Sequence, residues 1–468
     1  MFEDENDDMY EQNVNDDLKA FNEMYKNNNY TFFDCDRIEG IIDHLFVSGQ
    51  YKKAIWAAEK AFEQFPFNPI FKLRKAQAMS LSGELKEAIQ ILLEIERQGE
   101  KSQDLFLSLA SSFSQLRDSD SAIKYFTKAL GVSDQEERAD IYIDLAMEYE
   151  NQDEFLKAIK VLEKGIKEDP KNESLVYEMA YCYDQLGGYE KAIQCFQEYI
   201  DIEPYSYTAW YNLANAYARI KEYEKAIWAY DYCIVINEEF APAYFNIGNT
   251  YAELEMFEEA LVNYQKCVEI DGDDAMVYCS IGECLEELEH YEEALIAYKK
   301  SSDLLPQLAD AWAGRGVVNN VLGKGKVAIQ EIKKAIEMEP SNYSYHHSLA
   351  NILEDQSHTT EAIAAYHKAI ELNNTDDRLI IEYLHCLTNE DPVRAMELFY
   401  AEERIHETNA SKLAMTYTYW VMNRRTDAQL ILEDLIHNDP SLAKSLFLHF
   451  PSLEEVEYFV ERLENIDE

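Results

Sequence analysis

Apolar positions along this chain follow a helical rhythm that restarts about every 34 residues. In the unit beginning at Tyr207, Trp210, Leu213, Ala214 and Tyr217 stand at i, i+3, i+4 and i+7, one stripe of a helix. The stripe breaks at Lys221-Glu222, and a second follows through Ala226, Tyr230 and Cys233. The pattern predicts two antiparallel helices joined by a short turn. Alanine recurs at Ala54, Ala88, Ala122, Ala158, Ala192, Ala226, Ala260, Ala294, Ala328, Ala362, Ala395 and Ala428. A second small-residue column reads Ala76, Ala110, Ala146, Ala180, Ala214, Gly248, Gly282, Gly316 and Ala350. Two facing columns of small residues let paired helices approach closely, and a larger residue there would overpack the contact at a cost of about 1–3 kcal/mol. A third column is aromatic: Phe126, Phe196, Tyr230, Tyr264, Tyr298, Tyr366 and Phe399. It is expected to wedge each unit against the next. Self-similarity at a fixed period marks a solenoid, in which each unit buries its apolar face only against its neighbours.

The register slips in two places. Two extra residues fall between Ala122 and Ala158, expected in the polar loop around Val132–Arg138. One residue is lost around Asn389-Glu390-Asp391-Pro392, where Asp-Pro is expected to start a helix at Pro392. Residues 1–34 carry ten acids against Lys19 and Lys26. Their first dozen are expected to be disordered, followed by a helix near Asp16–Lys26. Beyond the array, Leu442–Phe450 and Leu453–Leu463 read as two short capping helices around Pro451. Ser452 and Glu455 fit a capping box there, and Val456, Phe459, Val460 and Leu463 form a stripe able to cover the last repeat.

The columns Trp210…Leu213-Ala214…Tyr217…Ala226…Tyr230, with proline closing units at Pro66, Pro170, Pro204, Pro306, Pro340 and Pro440, resemble the tetratricopeptide repeat (TPR). The resemblance covers about residues 35–440, or twelve units. It implies an all-α fold, an α-solenoid coiled as a right-handed TPR superhelix of antiparallel helix pairs. The expected organisation is an acidic lead and N-terminal capping helix over 1–34, the array over 35–440 and capping helices over 441–468. Within the class, the acidic lead, long array and terminal segment resemble uncharacterised cytosolic bacterial TPR proteins.

Composition narrows the function. Asp and Glu number 90 against 42 Lys and Arg, a net charge of −48. A polyanion repels nucleic-acid phosphates and anionic membrane surfaces, so neither is an expected partner. The amino terminus has no secretory signal pattern, and no apolar run is long enough to span a membrane. The eight cysteines include no CxxC pair and fall mostly at small apolar slots. A reducing, cytoplasmic compartment is expected. No phosphate-binding loop, HExxH or GxSxG motif occurs. His346, His347, His358, His367 and His385 cluster in sequence but at unlike repeat positions. No catalytic, metal or cofactor site is expected, and the chain reads as non-enzymatic.

The resemblance implies that a peptide or partner helix lies in a concave groove lined by the first helix of each pair. The groove candidates are Tyr177, Tyr181, Tyr211, Asn212, Asn215, Arg219, Phe245, Asn246 and Asn249. The asparagine amide both donates and accepts, and the four asparagines resemble the ladder of the sugar-transferase TPR superhelix. The aromatics can anchor apolar side chains or pack between adjacent first helices. The basic positions of a carboxylate clamp are missing: among early units only Arg74 is basic there. Asp43, Asp140, Asp144, Glu150, Glu178, Asp184, Glu283, Glu286 and Glu287 occupy the face instead, so a peptide partner is expected to be neutral to basic. The leading reading is a protein-binding scaffold. The alternatives are a self-assembling structural solenoid and an acidic regulatory subunit of a basic or nucleic-acid-binding partner. Oligomeric state stays open.

Overall fold

The computed structural model describes residues 17–27, 32–401, 408–464 and 466. The disorder expected of the first dozen residues lies outside them. The described residues form helices and turns, with no strand among them. The chain divides into two compact units, residues 1–236 and 237–468.

In the first unit, residues 17–27 are helical, and six helix pairs follow, from Cys35–Val47 with Tyr51–Gln64 to Tyr207–Arg219 with Tyr223–Ile236. The leading helix is held by an ion pair between Asp17 and Arg37 and by Phe21, whose ring meets Trp56 edge-on at 5.6 Å. The second unit also contains six pairs, from Ala241–Glu253 with Phe257–Asp271 to Asn409–Val421 with Arg425–Asn438.

Local chemistry explains where the helices start and stop. Ser206 accepts from the Ala209 N–H at 3.1 Å, and Asn172, Asp274, Asn342, Asp376 and Thr408 cap other first helices in the same way. Eleven of the twelve first helices close through a residue with positive φ; Asp377–Glu390 instead ends at Asp391 in extended conformation. Glycine serves at Gly49, Gly83, Gly187 and Gly323, but Arg117, Asp153, Lys221, Glu255, Glu289, Ser357 and Asn423 take the same conformation. At Lys221 the turn is secured by Lys221 N–H to Ala218 O at 2.9 Å and Glu222 N–H to Tyr217 O at 3.0 Å. The two slips appear where the sequence puts them. Gln135–Glu137 forms a 3-10 turn in the longer step. Asp391 Oδ1 accepts from the N–H groups of Val393 and Arg394, opening helix Pro392–Ala401.

The alanine column is buried from Ala54 to Ala428. The aromatic column is buried too, and the glycines show why. A Cβ added at Gly248 would sit 2.5 Å from the Tyr264 ring. The Tyr298 ring lies between Gly282 and Gly314, where added Cβ atoms would approach it to 2.7 and 2.3 Å. The ring thus wedges against the first helices of two successive repeats.

The carboxyl-terminal expectation needs correction. The first segment is split into Pro440–Lys444 and Leu446–His449. Ser452 lies inside a 3-10 turn, Pro451–Leu453, and the last helix runs over Glu457–Glu464, so Ser452 and Glu455 do not form a capping box at a helix start. Phe450 and Leu453 are both buried, and Phe450 stacks on Tyr417 at 4.7 Å. Those contacts hold the chain in the turn and delay the helix. The stripe itself does cover the array: Phe459 is buried against Trp420 at 4.8 Å.

Candidate functional site

Five of the nine groove candidates come together in the first unit. Tyr177 and Tyr181 stand one turn apart on Glu173–Gln185; Asn212, Asn215 and Arg219 stand on Tyr207–Arg219. With Asp184 and Phe196 they line a depression of about 200 Å³. Tyr177 and Tyr181 are 49% and 41% exposed. Arg219 pairs with Asp184 at 2.7 Å, and its guanidinium lies 5.7 Å from the Tyr189 ring centre. The cation is therefore neutralised within the site.

The asparagines carry a duty that the repeat pattern alone does not disclose. Asn215 Oδ1 accepts the hydroxyl proton of Tyr230 at 2.5 Å, and Asn249 Oδ1 accepts that of Tyr264 at 2.7 Å. Both tyrosines are buried, so each amide helps to satisfy a phenol that has left water. Asn351 Oδ1 takes the same position on Tyr366 at 2.6 Å, where Glu354 shares the hydroxyl at 2.8 Å. The signal was present as a recurring separation of 15 residues, Asn to Tyr, within a unit. Tyr211 packs on Tyr230 with ring centres 5.9 Å apart, and is not among the residues lining the depression. In the second unit Phe245, Asn246 and Asn249 share helix Ala241–Glu253, where Phe245 lies 5.8 Å from Tyr264.

The carboxylates expected on this face differ in what answers them. Asp43 pairs with Arg74 at 3.3 Å, and Glu286 accepts from the Tyr298 hydroxyl at 2.8 Å. Glu150 receives only the Cys182 thiol at 3.1 Å. Burial raises the Asp144 carboxyl above its ordinary range, helped by the charges of Asp140 and Glu148. Burial likewise raises Glu178, with Glu150 adding to it, and raises Glu150 against the opposing effect of the Cys182 hydrogen bond. The five sequence-clustered histidines go to separate partners; His347, for example, bonds Glu382 of the next repeat at 2.5 Å and His358 bonds Glu361 at 3.1 Å.

Comparison with known families gives four matched segments to tetratricopeptide-repeat models: residues 40–102, 241–274, 276–307 and 343–376. Residues 94–240 match the model described as ChAPs, Chs5p-Arf1p-binding proteins. No curated protein matches the chain. Similar solved structures include YrrB, described as a TPR protein with an unusual peptide-binding site, at 20% identity over 40% of this chain and 95% of that one, TM-score 0.34. A tetratricopeptide repeat protein from Parabacteroides merdae is 17% identical over 52% of this chain and 95% of its own, TM-score 0.42. The Cut9–Hcn1 hetero-tetramer of the APC/C aligns at 12% identity over 84% of this chain and 95% of that one, TM-score 0.42. At these identities and TM-scores, none bears on the partner of this chain.

Proposed function

The chain is a tetratricopeptide-repeat protein, and on that premise we propose that it works as a scaffold that binds an extended peptide segment of a partner at the Tyr177–Arg219 depression. A protein-protein interaction scaffold is the coarse role of this repeat class, which is non-enzymatic. The observation that carries the finer reading is the pair of exposed rings, Tyr177 and Tyr181, beside the Asn212 amide in one depression. Exposed aromatics anchor interfaces because a large apolar area is buried at small entropic cost. Residues 94–240, which contain the depression, match a model named for proteins that bind Chs5p and Arf1p; this supports a protein partner for the same stretch. The repeat array is taken to run over 35–440. The unanswered acids favour a partner that is neutral to basic. The eight cysteines are all free thiols, which fits a reducing compartment such as the cytoplasm. Among the described residues no helix is long and apolar enough to cross a membrane.

The test is a crosslinked pull-down from source cells with the intact chain and with Tyr177→Ala, Tyr181→Ala and Asn212→Ala combined. Asn215 and Asn249 stay in place, because removing them would take a hydrogen bond from the buried Tyr230 and Tyr264 hydroxyls. Loss of two aromatic anchors is expected to weaken a genuine partner by at least about tenfold. A partner set captured with unchanged affinity by the folded triple variant would refute this reading.

A further inference from the structure

Among the described residues, five carboxylates on two neighbouring first helices have no cation to answer them. Asp140, Asp144, Glu148 and Glu150 lie on Arg138–Glu150, and Glu178 lies on Glu173–Gln185, which packs beside it. The nearby guanidinium groups are engaged elsewhere: Arg138 with Glu168 at 3.0 Å and Arg219 with Asp184 at 2.7 Å. Glu148 is only 3% exposed, and its Oε2 has no hydrogen-bond partner. A buried, unanswered carboxylate destabilises a fold by itself, yet its charge reaches Asp144 and adds to the excess there. Apolar surface lies on the same two helices: Met147 is 47% exposed, close to the figures for Tyr177 and Tyr181.

The arrangement selects its occupant. Among the described residues no group of three His, Cys, Asp or Glu side chains is placed to hold a metal ion. Asp140, Asp144 and Glu148 are four residues apart, about 6 Å of helical rise per step. That rise comes close to the spacing of alternate side chains in an extended peptide, about 6.4–6.8 Å. Lysine and arginine carry an apolar stem and a charged head, the two chemistries this face presents side by side. Resting on the protein-binding reading above, we infer that this face seats an extended partner segment with lysine or arginine at alternate positions. The heads pair with Asp140, Asp144 and Glu178, and the stems lie on Met147 and Tyr177.

Fluorescence anisotropy on the full chain tests this with three labelled decapeptides, alternating Arg–Ala, Gln–Ala and Glu–Ala, near physiological salt. One variant combines Asp140→Asn, Asp144→Asn and Glu178→Gln. A control combines Glu258→Gln, Glu259→Gln and Glu292→Gln, exposed acids elsewhere that change net charge equally. The first variant is expected to weaken the Arg–Ala peptide about tenfold, three surface charge pairs together being of that order, while the control stays within about twofold. Equal weakening by both variants would assign the binding to diffuse charge and overturn the inference. Retention of affinity in the first variant, or displacement of the peptide by calcium at a saturable single site, would also overturn it. The two readings fail separately. If the acidic variant binds normally while the Tyr177, Tyr181 and Asn212 variant loses its partner, only the charge inference falls. If the aromatic variant keeps its partner while the acidic one loses the peptide, only the site of the scaffold reading falls.

Discussion

The acids around residues 140–178 and those around 310–382 have the same chemistry and opposite circumstances. In the second set, Glu331 is buried but bonded to Arg315 and, at 2.6 Å, to the Asn319 amide. Glu382 bonds His347 at 2.5 Å and Arg378 at 2.7 Å. Burial alone would push Glu382 up, but His347 and Arg378 together outweigh it and hold the carboxyl at about 2. In the first set burial acts unopposed by any cation, and Asp144 and Glu178 move up. Net charge therefore says little about availability. A carboxylate matched inside the fold is a structural part, and one without a match is open to a partner.

The comparison breaks most sharply if cations are removed where they are matched. Arg315→Met takes the paired cation from the buried Glu331, and urea unfolding of the second unit is expected to show a loss of about 3–5 kcal/mol. Asp144→Asn, tested the same way in the first unit, is expected to leave stability unchanged or raise it by up to about 1 kcal/mol. If both changes destabilise alike, the distinction between the two regions is wrong. Glu286 stands between the extremes, since a tyrosine hydroxyl answers it. Tyr298→Phe removes that donor and is expected to cost about 1–3 kcal/mol. It should also move the Glu286 carboxyl further up in a carbon-detected NMR titration.

Acid titration sharpens the contrast through its sign. Because the folded carboxyl of Glu382 is depressed, its contribution is complete above the ordinary carboxylate range and is lost as pH falls from about 4.5 toward about 2. Glu382→Gln should flatten that part of the stability curve. Asp144 and Glu178 are raised, so their contribution has the opposite sign: stability is gained as pH falls through their shifted values. Asp144→Asn with Glu178→Gln should abolish that gain. The smallest effect serves as a control outside both sets. Lys221 holds φ at 62°, and Lys221→Gly is expected to stabilise the first unit by up to about 1 kcal/mol through relief of backbone strain, with no change in the acid titration.

Much of the fold was legible because each unit repeats one local solution. The alanine column marked the helix contact, and the two irregular steps marked the 3-10 turn at Gln135–Glu137 and the Asp391-capped helix. Tyr177, Tyr181, Asn212, Asn215 and Arg219 were also legible as one face, and they do share one depression. Illegible was anything set by contacts between chain segments. Ser452 and Glu455 satisfy a local capping rule, but the burial of Phe450 and Leu453 overrides it. That the Asn215 oxygen takes the Tyr230 hydroxyl could not be read from the sequence.

The sequence by itself determined the helix pairs, their turns and the columns by which they touch, because spacing along a helix fixes which residues share a face. Only the tertiary structure decided which polar groups on those faces are matched. Glu148 and Glu382 are both glutamates on first helices, and nothing in their local sequence separates them. Glu382 meets His347 from the preceding repeat, whereas a Glu148 oxygen meets no donor at all. Coulomb and hydrogen-bond energies depend on distances across repeats, which no one-dimensional pattern contains.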